Sequence, residues 1–376
     1  MKTWKRMISG LFALVLLASL AGSALAAEAK TEKAAAKPAG QFTQWFPWLG
    51  TDPAAPEASE AVLARMGTVI NQTKTAGGET LTLGGAVWDG GAAYLSFTAK
   101  SAAFPKELTG KSWVYDDECA VKMPEKQFGN YLRKWLEGKT GDEELSKEEM
   151  EQRYQNMLKQ GQVMFQPTVA LDGREGNTVT FHVLTLVEDV LEKPELTLHL
   201  ENLTLVGTEA GTGKPQLDGK SAGTVLKGPF DFTFTLERTI PPVNCRGSVP
   251  VAYGEVPLLV KSVSASPLQM AVTCGIDVQG PVNLVDQRNE PVEGKMNIDL
   301  DKDLKLALNG LWTKDGKYVD CKESMGVTGV LSPADEEGLK VNWSRKFPYP
   351  IDPAQVSAVD IGGTRVELSR LERLDG

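Results

Sequence analysis

Histidine is almost missing from this chain: His182 and His199 are two among 376 residues. A His-based zinc centre or a Ser/His/Asp relay has little to draw on. Both histidines sit in strand-like runs far apart in sequence and read as structural. Cysteine is scarce too. Its four residues include no C-x-x-C pair, which disfavours zinc and dithiol redox chemistry. Positive charge is in the minority. With 40 Lys+Arg against 49 Asp+Glu the net charge is −9, which argues against nucleic acid or an anionic membrane surface as the main partner. Past residue 26 no run is long and apolar enough to span a bilayer, so no integral membrane segment is expected after cleavage.

Two loops imitate ligand sites without completing them. Asp299-Leu300-Asp301-Lys302-Asp303 begins like a calcium loop, but Leu304 stands where the turn needs Gly and Gly310 where the closing ligand would be Glu. Gly211-Thr212-Gly213-Lys214-Pro215 puts Pro where a phosphate loop needs Ser or Thr. No metal and no cofactor is implied. The many carboxylates leave a glycosidase-type acid pair open as an alternative, although nothing singles out two of them.

What is present starts with an address. Lys2, Lys5 and Arg6 precede an apolar stretch, Ile8 to Leu20, and Ala24-Leu25-Ala26 has the small-residue pattern of a cleavage site. Residues 1–26 therefore read as a secretory signal peptide. An uncleaved anchor is the other reading, against which the small residues Gly22, Ser23, Ala24 and Ala26 weigh. The mature chain is expected to be secreted or associated with the cell envelope. In that setting Cys119, Cys245, Cys274 and Cys321 suggest two disulfides, with three connectivities. Cys274 with Cys321 is the preferred pair because both fall in one proposed domain. Buried thiols are the alternative.

Residues 27–57 read as a disordered linker, low in complexity up to Gly40 and Pro-rich at its end. Inside it lies an aromatic segment. Phe42, Trp45, Phe46 and Trp48 form either a candidate interaction segment or a strap folded back on a domain. The first domain is set at 58–240. It opens on Gly67 to Ala99, read as two strands closed by Trp88-Asp89-Gly90-Gly91, since Asp-Gly tolerates positive φ. Leu95, Phe97 and Ala99 share one face. A helical hairpin is inserted at 124–160, with one stripe at Phe128, Tyr131, Leu132, Trp135 and Leu136 and a second at Met150, Tyr154, Met157 and Leu158. It is either a lid or partner groove, or a cover for the sheet. Strands resume at Thr178–Leu186, Leu196–Leu200 and Phe230–Glu237. Pro241-Pro242 marks a boundary, and 241–376 is the second domain, with short strands separated by turns such as Asp315-Gly316 and Gly362-Gly363. The fold class is mainly β, two sandwich domains.

The runs Gly67–Thr73, Thr75–Leu83, Trp88-Asp89-Gly90, Leu196–Leu203, Gly228–Phe232, Ser266-Pro267-Leu268, Pro350–Pro353 and Ile361-Gly362-Gly363 resemble a bacterial domain of unknown function. That domain forms the extracellular part of Gram-positive anti-sigma-factor-like proteins. The resemblance spans most of Gly67 to Leu368. It implies two immunoglobulin-like β-sandwich domains and carries no catalytic residues over. Relatives place a sigma-binding segment and a membrane helix ahead of the ectodomain. Here the signal peptide stands in place of both, so signalling would need a separate membrane partner. The expected function is a secreted, non-enzymatic binding or sensing module for an envelope protein or cell-wall ligand. The alternatives are a secreted hydrolase and a structural surface protein.

Overall fold

Alternation along the chain decides the architecture. A strand with one apolar face can bury it only by pairing in a sheet and stacking that sheet on another. The computed structural model describes residues 40–102, 104, 111–115, 119–139, 148–149, 151–152, 155, 163–165, 168–187, 191–207, 224–237, 239–253, 256–276, 282–285, 296–299, 308–321, 330–335 and 338–374. Among them the chain is mainly β, in sheets that are antiparallel apart from one two-stranded piece. They fall into two units. An N-terminal unit holds the described residues up to Trp48 together with Leu63–Thr239. A C-terminal unit holds Leu49–Val62 together with residues from Ile240 onward.

In the N-terminal unit, β1 (Gly67–Ala76), β2 (Glu79–Trp88), β3 (Ala92–Lys100), β7 (Thr168–Glu175) and β8 (Thr178–Leu186) form one sheet in the order β1-β2-β3-β8-β7. The second sheet joins β4 (Lys111–Tyr115), β5 (Ala120–Lys122), β6 (Val163–Phe165), β9 (Glu195–Gly207) and β10 (Thr224–Thr235). The Asp89-Gly90 hairpin forms as expected. Gly90 has φ 94°, and Asp89 Oδ1 accepts the N–H groups of Gly91 at 3.0 Å and Ala92 at 2.9 Å. The opening stretch has three strands where two were expected. A second turn at Gly77-Gly78, both at positive φ, folds β1 back on β2.

The two inner faces meet through rings. Phe97 stacks on Phe181 at 5.2 Å and meets Phe232 edge-on at the same distance. Each such buried side chain is worth about 1.5–3 kcal/mol of transfer energy. Of the expected helical hairpin, α3 (Glu125–Lys139) is present, with Phe128, Tyr131 and Leu132 buried. Met150, Tyr154, Met157 and Leu158 lie outside the described residues.

The linker expectation is corrected for 40–57. Gln41–Trp45 is a helix (α1), Pro47–Leu49 a 3-10 turn, and Pro56–Met66 a longer helix (α2). The aromatic segment covers the outer face of the first sheet. Phe42 and Phe46 are buried, and Trp48 stands against Tyr94 at 5.7 Å and His182 at 5.2 Å. Glycines make room for it: a Cβ at Gly85 would lie 2.0 Å from the Trp45 ring, and one at Gly67 2.3 Å from Phe42. Burying Phe42 and Phe46, with Trp45 and Trp48 half-buried beside them, offsets part of the cost of ordering the segment. The segment is thus a strap, and its aromatic rings are turned onto the sheet.

In the C-terminal unit a six-stranded sheet runs β18-β19-β13-β12-β11-β22, from β11 (Val243–Tyr253), β12 (Val256–Ala265), β13 (Gln269–Ile276), β18 (Val330–Asp335), β19 (Gly338–Lys346) and β22 (Glu372–Leu374). A four-stranded sheet runs β17-β16-β20-β21, from β16 (Leu308–Thr313), β17 (Tyr318–Asp320), β20 (Val356–Ile361) and β21 (Thr364–Glu367). Val260, Val272, Trp343, Leu311, Val359 and Ile361 fill the shared core. A parallel pair, β14 (Val282–Val285) with β15 (Met296–Asp299), completes the described strands.

The segment 49–55, assigned to the linker by sequence, is fastened to this unit. Asp52 is buried and pairs with Lys317 through Oδ2, and its backbone N–H donates to Ser59 Oγ at 2.9 Å.

The disulfide expectation is also corrected: all four cysteines are buried thiols. Cys245 and Cys274 lie on β11 and β13 with β12 between them. Two strand spacings of about 4.8 Å exceed the ~7 Å Cα separation that a disulfide can bridge. Cys274 and Cys321 share the core, but Cys274 is in β13 and Cys321 directly follows β17 of the other sheet, and the Cys321 thiol turns to the Val319 carbonyl, 3.7 Å away. Cys119 is in the other unit, where its Sγ accepts the Glu201 N–H at 3.2 Å. Here cysteine serves as a small apolar side chain.

Candidate functional site

The two sheets of the C-terminal unit part at one side, and a cleft of about 340 Å³ opens there. Its walls are β11 and β22 from one sheet and β20 and β21 from the other. The turn Leu368–Arg370 crosses between them. The sequence dictates this opening locally. β21 ends at Glu367, and the single 3-10 turn closes with the Leu371 N–H on the Leu368 carbonyl at 3.1 Å. The chain then re-enters the other sheet as β22, which pairs with only three residues of β11, Asn244 to Arg246. Among the described residues so short a strand leaves this end of the sandwich uncovered.

Val243, Val356, Leu368 and Leu371 make the lining apolar, with Cys245 among them. Leu368 and Leu371 are held down at 8% and 7% exposure. The polar groups are Lys314, Ser357, Glu367, Ser369 and Arg373. Ser357 is committed to the fold, its hydroxyl reaching the Trp312 and Thr313 carbonyls at 3.1 and 3.0 Å. Glu367 is held by Arg365, whose Nε lies 2.7 Å from Oε1. Arg365 in turn lies over the Trp312 ring at 5.0 Å, and Trp312 packs on Tyr318 at 4.8 Å. Lys314 is fixed through its backbone, whose N–H donates to Gln355 O at 2.8 Å. Arg373 faces Cys245 in the strand register. Burial pushes the Cys245 thiol up, and the Arg373 guanidinium pulls it partly back.

A cleft of this size lies at the low end of the range for small-molecule sites, about 300–1,000 Å³, and apolar walls with a few placed polar groups are their usual make-up. Among the described lining residues Glu367 is the single carboxylate. The two-carboxylate arrangement of acid–base glycoside hydrolysis is therefore not present among the described lining residues.

Of the residues singled out by sequence, only Cys245 lines this cleft. Phe42, Trp45, Phe46 and Trp48 belong to the strap of the other unit. Cys274 and Cys321 sit inside the core, and burial raises both thiols to about 12. The histidines are on different sheets. His182 bonds Asp172 beneath Trp48. His199 lies between Asp231, 2.9 Å from Nδ1, and Glu201, 3.4 Å from Nε2. Asp299 ends β15, and the rest of the calcium-like run lies outside the described residues, as does Gly211–Pro215. Gly219-Lys220-Ser221-Ala222-Gly223, a G-x-S-x-G run, is also outside them. It leads into the strand β10, whereas a nucleophile elbow leads into a helix.

Sequence reasoning missed Lys314 and Arg373. The Asp315-Gly316 turn placed Lys314 at a sheet end, but nothing in the pattern announced β22 or the turn before it. Among the described residues no helix is long and apolar enough to cross a membrane.

No family model and no curated protein matches this chain. A solved structure, the conserved domain protein from Bacillus anthracis, is similar at 9% identity, over 82% of this chain and 88% of its own length, with a TM-score of 0.36.

Proposed function

We propose that this chain is an exported, non-catalytic binding or sensing module of the bacterial cell envelope, and that the cleft in its C-terminal unit is where it holds its ligand. The observation that carries this is the cleft itself: an apolar slot of about 340 Å³, with one carboxylate already engaged by Arg365 and two cations at its polar edge. Export is supported by the Lys2/Lys5/Arg6 start, the apolar stretch to Leu20 and the Ala24-Leu25-Ala26 motif. The resemblance of Gly67–Leu368 to immunoglobulin-like ectodomains of anti-sigma-factor-like proteins supports a sensing role. Signalling then passes through a separate membrane partner.

The test uses the chain with its leader, expressed in a Gram-positive host, and a cleft-filling variant, Ser369→Trp. The mature protein should begin at Ala27 and sediment saturably with isolated envelopes, and the variant should lose most of that retention while melting normally. Equal retention of both proteins, a chain that stays in the cytoplasm, or turnover of wall glycans or peptides by the purified protein would overturn the proposal.

A further inference from the structure

The two cations of the cleft come from different sheets. Lys314 is on the turn after β16, and Arg373 is in β22. The cleft's one acid is balanced by Arg365, and none of the ion pairs among the described residues engages Lys314 or Arg373. In a chain of net charge −9, these two exposed cations border an apolar slot without an ion pair to a described residue. Beside them Val243, Val356, Leu368 and Leu371 offer only hydrocarbon. A ligand that satisfies both halves must pair an oxyanion with an aliphatic body.

We infer that the cleft binds a small amphipathic carboxylate, its head between Lys314 and Arg373 and its aliphatic chain against Val243, Val356, Leu368 and Leu371. The inference rests on the reading of this cleft as the binding site. Each part has a physical reason. A guanidinium offers a carboxylate two parallel donors, and the ammonium adds a point charge from the opposite side. The chain gains by leaving water, at about 0.8 kcal/mol per buried CH₂. A fully hydrophilic anion would forgo that gain, and a neutral alcohol would leave the two cations without a partner.

The experiment titrates the full mature chain with octanoate, octanol, octylammonium and acetate, following the methyl resonances of Val243, Val356, Leu368 and Leu371 by NMR. Octanoate should shift these methyls saturably. Octanol and acetate should each bind about tenfold more weakly or worse, and octylammonium should not bind. Lys314→Glu and Arg373→Glu, both at exposed positions, should each weaken octanoate about tenfold with unchanged melting. Octanol binding as tightly as octanoate, octanoate shifting methyls elsewhere, or binding indifferent to both charge reversals would overturn the inference. If octanoate fails while Ser369→Trp still abolishes envelope retention, the ligand class is wrong and the cleft's role stands. If both fail, both proposals fall.

Discussion

Trp45 and Gly85 are in contact across the outer face of the first sheet. A Cβ on Gly85 would lie 2.0 Å from Cζ3 and 2.3 Å from Cε3 of the indole. The strap and β2 are therefore matched in shape, and an aromatic-rich stretch that looks adhesive in sequence is consumed inside the N-terminal unit.

Gly85→Val should destabilise the chain by about 1–3 kcal/mol, the usual range for overpacking a filled site. Gly85 has no positive φ, so the effect comes from space alone. Trp45→Ala opens that space, so the double variant should cost clearly less than the two single costs added. Urea unfolding midpoints of the four proteins measure this. Additive costs would mean that the indole leaves Gly85 in solution and that the strap is loose.

The thiols make a second, pH-dependent prediction. Burial raises Cys274 and Cys321 from an ordinary value of 9.0 to about 12. The folded state then holds protons that the unfolded state releases between these values, so stability falls as pH rises from about 9 towards 12. Below pH 9 this contribution is fully present. Replacing both residues by Ala should flatten the decline, although each loses some packing at every pH. At pH 8 the native chain should react sluggishly with a thiol reagent, and the unfolded chain should titrate four thiols. Added reductant should leave the melting temperature unchanged. A drop in that temperature on reduction would mean that a disulfide forms after all.

The strand pattern was legible because alternation is local: Phe230, Phe232 and Phe234 point one way whatever they meet. Turns with Asp-Gly or Gly-Gly were legible for the same reason. Gly77-Gly78 is less legible, because the run before it, Asn71-Gln72-Thr73-Lys74-Thr75, is polar and gives no apolar alternation for a turn to end. What local pattern does not encode is which surface receives a loose end. Phe42 to Trp48 reads identically whether it faces solvent or a sheet, and the deciding feature, the absent side chains at Gly84 and Gly85, lies about forty residues away. The cleft was illegible because its residues come from four separate segments, from Val243 to Arg373. The cysteines misled because an even count in an exported chain says nothing about whether a strand lies between a pair.

Asp52 and Lys317 carry the last prediction. Asp52 is 9% exposed. Burial opposes its ionisation, but the hydrogen bond from Lys317 and the N–H of Ala54 at 3.0 Å outweigh it, and its pKa falls below 3.8. Lys317 also lies over the Tyr349 ring at 5.1 Å. A carboxyl group with a depressed folded pKa contributes stability above its unfolded value and loses it as pH falls through the folded value. Asp52→Asn keeps an acceptor for Ala54 but puts an amide NH2 where the carboxylate oxygen faced Lys317, so that hydrogen bond is lost together with the charge. It should cost about 1.5–3 kcal/mol at pH 7, the range for a charge-assisted hydrogen bond. The gap should narrow below pH 3.8, where the wild-type carboxyl also becomes neutral. Lys317→Met should cost a similar amount, and the double variant should show that the two losses overlap. Proteolysis gives an independent readout, because segment 49–55 is cut faster once its anchor is gone. An Asp52→Asn protein as stable and as resistant as wild type at pH 7 would mean that the segment is a linker in solution.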